Sequence, residues 1–157
     1  MNDQNKPFPS RNEILRKAAG EFAAKTSVLS SVLEIALVGS VVRRKESLKD
    51  VDIAVMVQDL SEIPIIAKFG RQISKYYPSW DLFLFSTDFR YLGRMCHRKV
   101  CPGLSVDCNV PGCGQPEHVQ VIQGFMFDPA MLLKTEIEVL WKKATRSKFL
   151  SWQESFN

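Results

Sequence analysis

The sequence predicts an α/β (α+β) domain, a mixed sheet flanked by helices, with a cysteine-rich insert. Three observations carry this. Short apolar runs rich in β-branched residues alternate with segments of helical spacing. A Gly-Ser step and an Asp-x-Asp pair stand at the ends of two such runs, and all four cysteines fall in one Pro- and Gly-rich stretch.

The 157 residues, 45% hydrophobic and 24% charged, have the balance of one globular domain and exclude a disordered tail or a large multidomain enzyme. A folded chain of this size removes about 70% of its unfolded surface from water, so it needs no staple to form a core. The net charge of +4 suits phosphate-bearing ligands but is shared by many proteins that bind none. Apolar stretches such as Ile53 to Val57 and Leu82 to Phe85 fall far short of the roughly 20 residues a membrane span needs. The first residues lack the basic-then-apolar pattern of a secretory signal, so a cytoplasmic, reducing compartment without disulfides is expected.

Residues 1–9, with Pro7 and Pro9, read as a flexible leader to a domain spanning 10–157. Ser10 and Glu13 have capping-box spacing, and Leu15, Ala18, Ala19 and Phe22 mark one face of a helix running from Arg11 to about Lys25. Glu34 to Val38, stopped by Gly39, and Val51 to Val57 read as buried strands. Between Ser61 and Tyr77, residues Ile65, Ile66, Phe69, Ile73 and Tyr76 recur helically, with Pro64 in the first turn and Pro78 beyond the end. Trp80 to Phe85 reads as a third strand, Thr87 to about Arg94 as a short helix, and His118 to Ile122 as one more strand. A C-terminal helical segment is expected over 129–150, opened by Asp128-Pro129 and continued by Glu136 to Lys143.

The segment from Val38 to Ile53 is the most informative. Gly39 permits close backbone approach to a phosphate, and Ser40 offers a hydroxyl and amide donors. Asp50 and Asp52, two apart on a strand, share a face and can hold divalent cations through their carboxylates. Apolar-Gly-Ser, a spacer of about ten residues, then Asp-apolar-Asp-apolar resembles the DNA polymerase beta-like nucleotidyltransferase superfamily, over about residues 11 to 86. Small members read Gly-Ser-x-Ala-Arg-Gly; Arg43 matches the arginine, whereas Val42 and Arg44 replace the alanine and glycine, so the loop departs from the pattern more than the metal site does.

The resemblance implies a nucleotidyltransferase-like sheet and a Mg²⁺- or Mn²⁺-dependent enzyme. It would transfer a nucleoside monophosphate from a nucleoside triphosphate to an acceptor hydroxyl of a small molecule, protein or RNA. Asp50 and Asp52 would bind metal, and Gly39, Ser40 and Arg43 would bind the nucleotide phosphates. A third carboxylate on a neighbouring strand would complete the metal site and act as general base. Asp81, opening Asp-Leu-Phe-Leu-Phe, is favoured over Asp107 in Ser-Val-Asp-Cys.

Cys96, Cys101, Cys108 and Cys113 lie within eighteen residues, inside an insert over 95–116 where hydrophobic periodicity fails. Four thiolates around one structural Zn²⁺ would order such a segment, and Pro111-Gly112-Cys113-Gly114 resembles a zinc knuckle. Arg94, His97, Arg98 and Lys99 could offset the negative charge, and His97 and His118 are alternative ligands; the competing reading is reduced, partly buried thiols. Lys142, Lys143, Arg146 and Lys148 read as a solvated helix face, and Phe125, Phe127, Trp141 and Trp152 as core beneath that helix. Two other readings compete with the enzyme. One is a noncatalytic nucleotidyltransferase-like module that binds nucleotide or a partner; the other is a small nucleic-acid-binding protein whose aspartates are incidental.

Overall fold

The computed structural model describes residues 7–39, 51–73, 80–96, 98, 101, 114, 117–120 and 133–155. Helix α1 (Arg11–Thr26) starts where the sequence says it should: Ser10 Oγ accepts the Glu13 amide N–H at 3.2 Å and Glu13 accepts the Ser10 N–H at 3.3 Å. Strands β1 (Val32–Val38) and β2 (Val51–Val57) are almost wholly buried, as expected of runs covered on both faces. Helix α2 (Ile63–Ile73) buries Ile63, Ile66, Ala67 and Ile73, but Ile65 is exposed despite its place in the apolar pattern. Strands β3 (Trp80–Phe85), β4 (Tyr91–Met95), β5 (Val119–Gln120) and β6 (Glu138–Lys142) and helix α3 (Lys148–Glu154) complete the described elements.

Among the described residues the architecture is mixed α/β, a six-stranded sheet ordered β5-β4-β3-β2-β1-β6 with three helices. β2 and β3 run parallel, joined through α2, while every other neighbouring pair is antiparallel. On one face α1 and α2 pack over Val32, Ile35, Leu37, Val51, Ile53, Val55, Leu82 and Leu84. On the other, Phe149 and Trp152 of α3 cover Ala36, Val38, Ala54, Met56, Phe83 and Phe85. Alternation along each strand therefore assigns every side chain to one layer or the other. Among the described residues, no helix is long and apolar enough to cross a membrane.

Three expectations are corrected. Thr87 to Arg94 is not a helix: a turn after β3 leads into β4, whose Tyr91 and Leu92 suit a strand paired back on β3. Phe89, at φ 64°, breaks any helical run, and its ring stacks on Trp152 with centroids 4.8 Å apart. Glu136 to Lys143 is not helical either, because Val139 and Trp141 pair with the otherwise open edge of β1, and helix resumes only at Lys148. Ladder hydrogen bonds and burial outweigh helix propensities worth only tenths of a kcal/mol per residue. Consequently Lys142, Lys143, Arg146 and Lys148 do not share one helix face, and Trp141 packs against the α1 and α2 layer rather than beneath α3. Finally, hydrophobic periodicity does not yet fail at Met95, the first residue of the expected insert, which is fully buried core at the end of β4. Phe125, Phe127, Tyr76 and Asp128 lie outside the described residues.

α3 is attached by an interaction the sequence did not announce. Glu34, only 1% exposed, extends its carboxylate from β1 to the start of α3. There it accepts the Ser147 hydroxyl at 2.6 Å and the backbone N–H groups of Lys148 and Phe149 at 2.7 and 3.0 Å. A buried carboxylate satisfied by three donors at a helix N-terminus is a stable arrangement, since those amides have no intrahelical partner.

Candidate functional site

The site is assembled where β1 ends and β2 and β3 begin. β1 runs out at Val38, opposite Asp52 on β2, and Gly39 follows with φ 76°. That left-handed conformation favours glycine, and a second constraint coincides with it. A Cβ on Gly39 would lie 2.6 Å from Asp52 Oδ2, so the carboxylate fills the space that a side chain would occupy.

Asp52 and Asp81 are direct neighbours in the parallel β2 and β3 ladder. Both are half-buried, and both lie on the α3 side of the sheet, in step with Ala54, Met56, Phe83 and Phe85. Two carboxylates side by side on parallel strands repel one another unless a cation lies between or beside them. Arg94 supplies one such cation, its Nη1 standing 3.6 Å from Asp81 Oδ1. Its Nη2 donates to Gln120 Oε1 at 3.1 Å, so one guanidinium spans from β3 to β5. Arg94 thus faces Asp81.

Tyr91, next to this pair, is partly withdrawn from water. Burial, with a smaller contribution from Asp81 and against the opposing pull of Arg94, pushes its phenol up to about 12. It is therefore a neutral hydrogen-bonding group at neutral pH.

Of the residues singled out in the sequence, Gly39, Asp52 and Asp81 are brought together. Ser40, Arg43, Asp50 and Asp107 lie outside the described residues. Arg94 and Tyr91 were missed as site residues because Thr87 to about Arg94 reads as a helix in sequence. Read as a strand antiparallel to β3, the same letters put Arg94 opposite Phe83, on the face of Asp81.

The cysteine region is described only in part. Cys96 is buried and Cys101 half-buried, both unpaired, while Cys108 and Cys113 lie outside the described residues. Cys96 Sγ accepts the Arg98 backbone N–H at 3.4 Å, and the Cys96 N–H donates to the His118 carbonyl at 2.8 Å. His118 is 5% exposed, its Nδ1 has no hydrogen-bond partner among the described residues, and burial holds its pKa below the usual value. Among the described residues, no three His, Cys, Asp or Glu side chains converge as a metal would require.

A direct test of the geometry is Gly39→Ala. The left-handed backbone alone costs about 1 to 2 kcal/mol for an alanine, and the new methyl must displace the Asp52 carboxylate. We expect a stability loss of that size by urea denaturation. An unchanged urea midpoint would show that the Asp52 carboxylate moves aside at no cost. Compared with family models, with curated proteins and with solved structures, the chain gives no match.

Proposed function

We propose that this chain is a Mg²⁺- or Mn²⁺-dependent nucleotidyltransferase of the DNA polymerase beta-like kind. It moves a nucleoside monophosphate from a nucleoside triphosphate to an acceptor hydroxyl. The observation that carries the reading is the adjacency of Asp52 and Asp81 on parallel strands, with Gly39 backed against Asp52 at the end of β1. The donor set fits hard divalent cations, which take carboxylate oxygens and leave room for phosphate oxygens. When bound, such cations neutralise the triphosphate and stabilise the attacking and leaving oxygens of an in-line displacement.

The chain's own groups would do the rest. Asp52 and Asp50 would hold metal, and Gly39, Ser40 and Arg43 would position the phosphates. Asp81 would complete the site and take the proton as the acceptor oxygen bonds to the α-phosphorus and the bond to pyrophosphate breaks. A cytoplasmic, reducing setting belongs to the same reading. The test is incubation with each labelled triphosphate and Mg²⁺ in cell extract. Label transferred to protein, RNA or a small molecule supports the enzyme; no transfer with any triphosphate, while nucleotide still binds, leaves the noncatalytic module.

Structural zinc on Cys96, Cys101, Cys108 and Cys113 belongs to the same proposal. The N–H donated to Cys96 Sγ is the kind of support a thiolate needs. Zinc in peptide sites contributes about 10 to 16 kcal/mol of apparent binding free energy at neutral pH, enough to order a segment with few apolar side chains. We expect about one zinc per chain by elemental analysis of protein purified without added metal, lost in Cys101→Ser and Cys113→Ser. Metal-free protein whose 95–116 segment resists proteolysis like the parent would refute it.

A further inference from the structure

His118 is a buried imidazole whose polar atoms are only half accounted for. It is 5% exposed, and its Nδ1 has no hydrogen-bond partner among the described residues. Buried polar atoms in native proteins are nearly always satisfied, so such an atom calls for a donor or a metal. The other ring nitrogen shows which. Glu117 Oε1 lies 3.7 Å from Nε2, and the negative charge on that side favours the tautomer with its proton on Nε2. Nδ1 then carries a bare lone pair, the form in which histidine binds metal, with a carboxylate behind the ring as metal-binding histidines commonly have.

Cys96 stands across the sheet edge from it. The β4 and β5 pairing sets Arg94 against Gln120 and Met95 against Val119. One step further along, the Cys96 N–H donates to the His118 carbonyl at 2.8 Å. Residues opposed in this way can bring their side chains together, with Cβ atoms about 4.5 to 5.5 Å apart in a regular antiparallel pair. Cys96 is also 5% exposed, and its Sγ accepts the Arg98 backbone N–H at 3.4 Å, a contact that supports negative charge on sulfur. Thiolate sulfur and imidazole nitrogen are the donors that zinc takes, in contrast to the oxygen ligands of Mg²⁺. No third His, Cys, Asp or Glu joins the pair among the described residues, so it supplies half of a tetrahedral set.

We infer that His118, through Nδ1, is a ligand of the zinc centre beside Cys96, so that the set is one imidazole and three thiolates. This rests on the structural zinc proposed above and changes its fourth ligand. Two of Cys101, Cys108 and Cys113 complete the tetrahedron, and the third remains a free thiol. Exchanging one thiolate for a neutral imidazole halves the net negative charge that four thiolates would leave on the site. It also gives the metal a second task. With one ligand at the end of β4 and another at the start of β5, zinc clamps the outermost pair of strands as well as ordering the cysteine segment.

The test is zinc affinity, with absorption spectra after replacement by Co²⁺, on the full wild-type chain and on His118→Asn, His118→Cys and Cys96→Ser. Residue 118 has φ 65°, a left-handed conformation that asparagine tolerates, so His118→Asn keeps the backbone and a polar group while removing the ring nitrogen. Circular dichroism checks its fold. We expect His118→Asn to weaken zinc binding by more than the roughly 10- to 100-fold that loss of an outer-shell partner costs. His118→Cys should keep the metal and raise the thiolate-to-cobalt charge-transfer intensity by about one third, as three thiolates become four. If His118→Asn binds zinc as tightly as the wild type, or the wild-type intensity already equals that of His118→Cys, His118 is not a ligand although the zinc centre stands. Should His118→Asn fold poorly, the comparison of wild type with His118→Cys decides alone. If the wild-type chain takes up neither Zn²⁺ nor Co²⁺ at a site that Cys96→Ser removes, the zinc reading itself is wrong and the inference falls with it.

Discussion

Asp52→Asn is expected to abolish the proposed nucleotidyl transfer while leaving the fold intact. The amide is nearly the same size as the carboxylate, so no cavity opens beside Gly39 and the parallel ladder to Asp81 persists. What is lost is one negative charge and one hard oxygen ligand, and a metal that polarises phosphate has no substitute among neutral amides. A fall in turnover on the order of 10²-fold or more, about 2.7 kcal/mol of transition-state stabilisation, is the expected size. Asp81→Asn should be as severe and Asp107→Asn mild. Urea midpoints within about 0.5 kcal/mol of wild type would show the loss to be chemical. Transfer within tenfold of the parent in Asp52→Asn would remove the metal assignment, and a reversal between Asp81 and Asp107 would reassign the third carboxylate.

Glu34→Ala should have the largest effect on stability. The Glu34 carboxylate satisfies the Ser147 hydroxyl and the Lys148 and Phe149 amides at the start of α3, all from a residue 1% exposed. Removing it leaves three donors without their acceptor, each costing about 1 to 3 kcal/mol when water cannot replace it. A cleft of about 160 Å³ lined by Leu33, Lys143, Ala144 and Lys148 lies beside the site and admits some water, which reduces the total. We expect a loss of roughly 3 kcal/mol and a fall in Tm of roughly 10 °C. Because α3 carries Phe149 and Trp152 onto Phe85, its loosening should also expose that aromatic layer, seen as increased dye binding. A midpoint shift below about 0.5 kcal/mol would show that α3 is held by its apolar face alone.

The proposed reaction and the stability of α3 meet at the sheet. Asp52 and Asp81 lie on the same face that α3 covers further along β2 and β3, so one layer contains both the apolar cluster and the carboxylates. Polar residues at the strand starts and apolar residues beyond them are what allow one face to end in a carboxylate-bearing edge while its middle remains dry.

The sequence by itself determined the elements whose signals are local. The Ser10 and Glu13 box starts α1, the β-branched runs form β1 and β2, Pro64 sits in the first turn of α2, and Gly39 ends β1. It also named Gly39 and Asp52, through the Gly-Ser, Asp-x-Asp spacing, and added Asp81 only through what the resemblance implies, a third carboxylate on a neighbouring strand. Only the tertiary structure decided the rest. Tyr91 to Met95 and Glu138 to Lys142 became strands because β3 and β1 offered them open edges, and no residue within those segments encodes where such an edge will be. Arg94 reached Asp81, and Glu34 reached α3, for the same reason: each contact joins positions made neighbours by strand pairing or packing, over sequence separations that periodicity does not span. Local propensities amount to tenths of a kcal/mol per residue, whereas a buried ladder and a satisfied buried charge amount to several, so where the two conflicted the long-range partners prevailed.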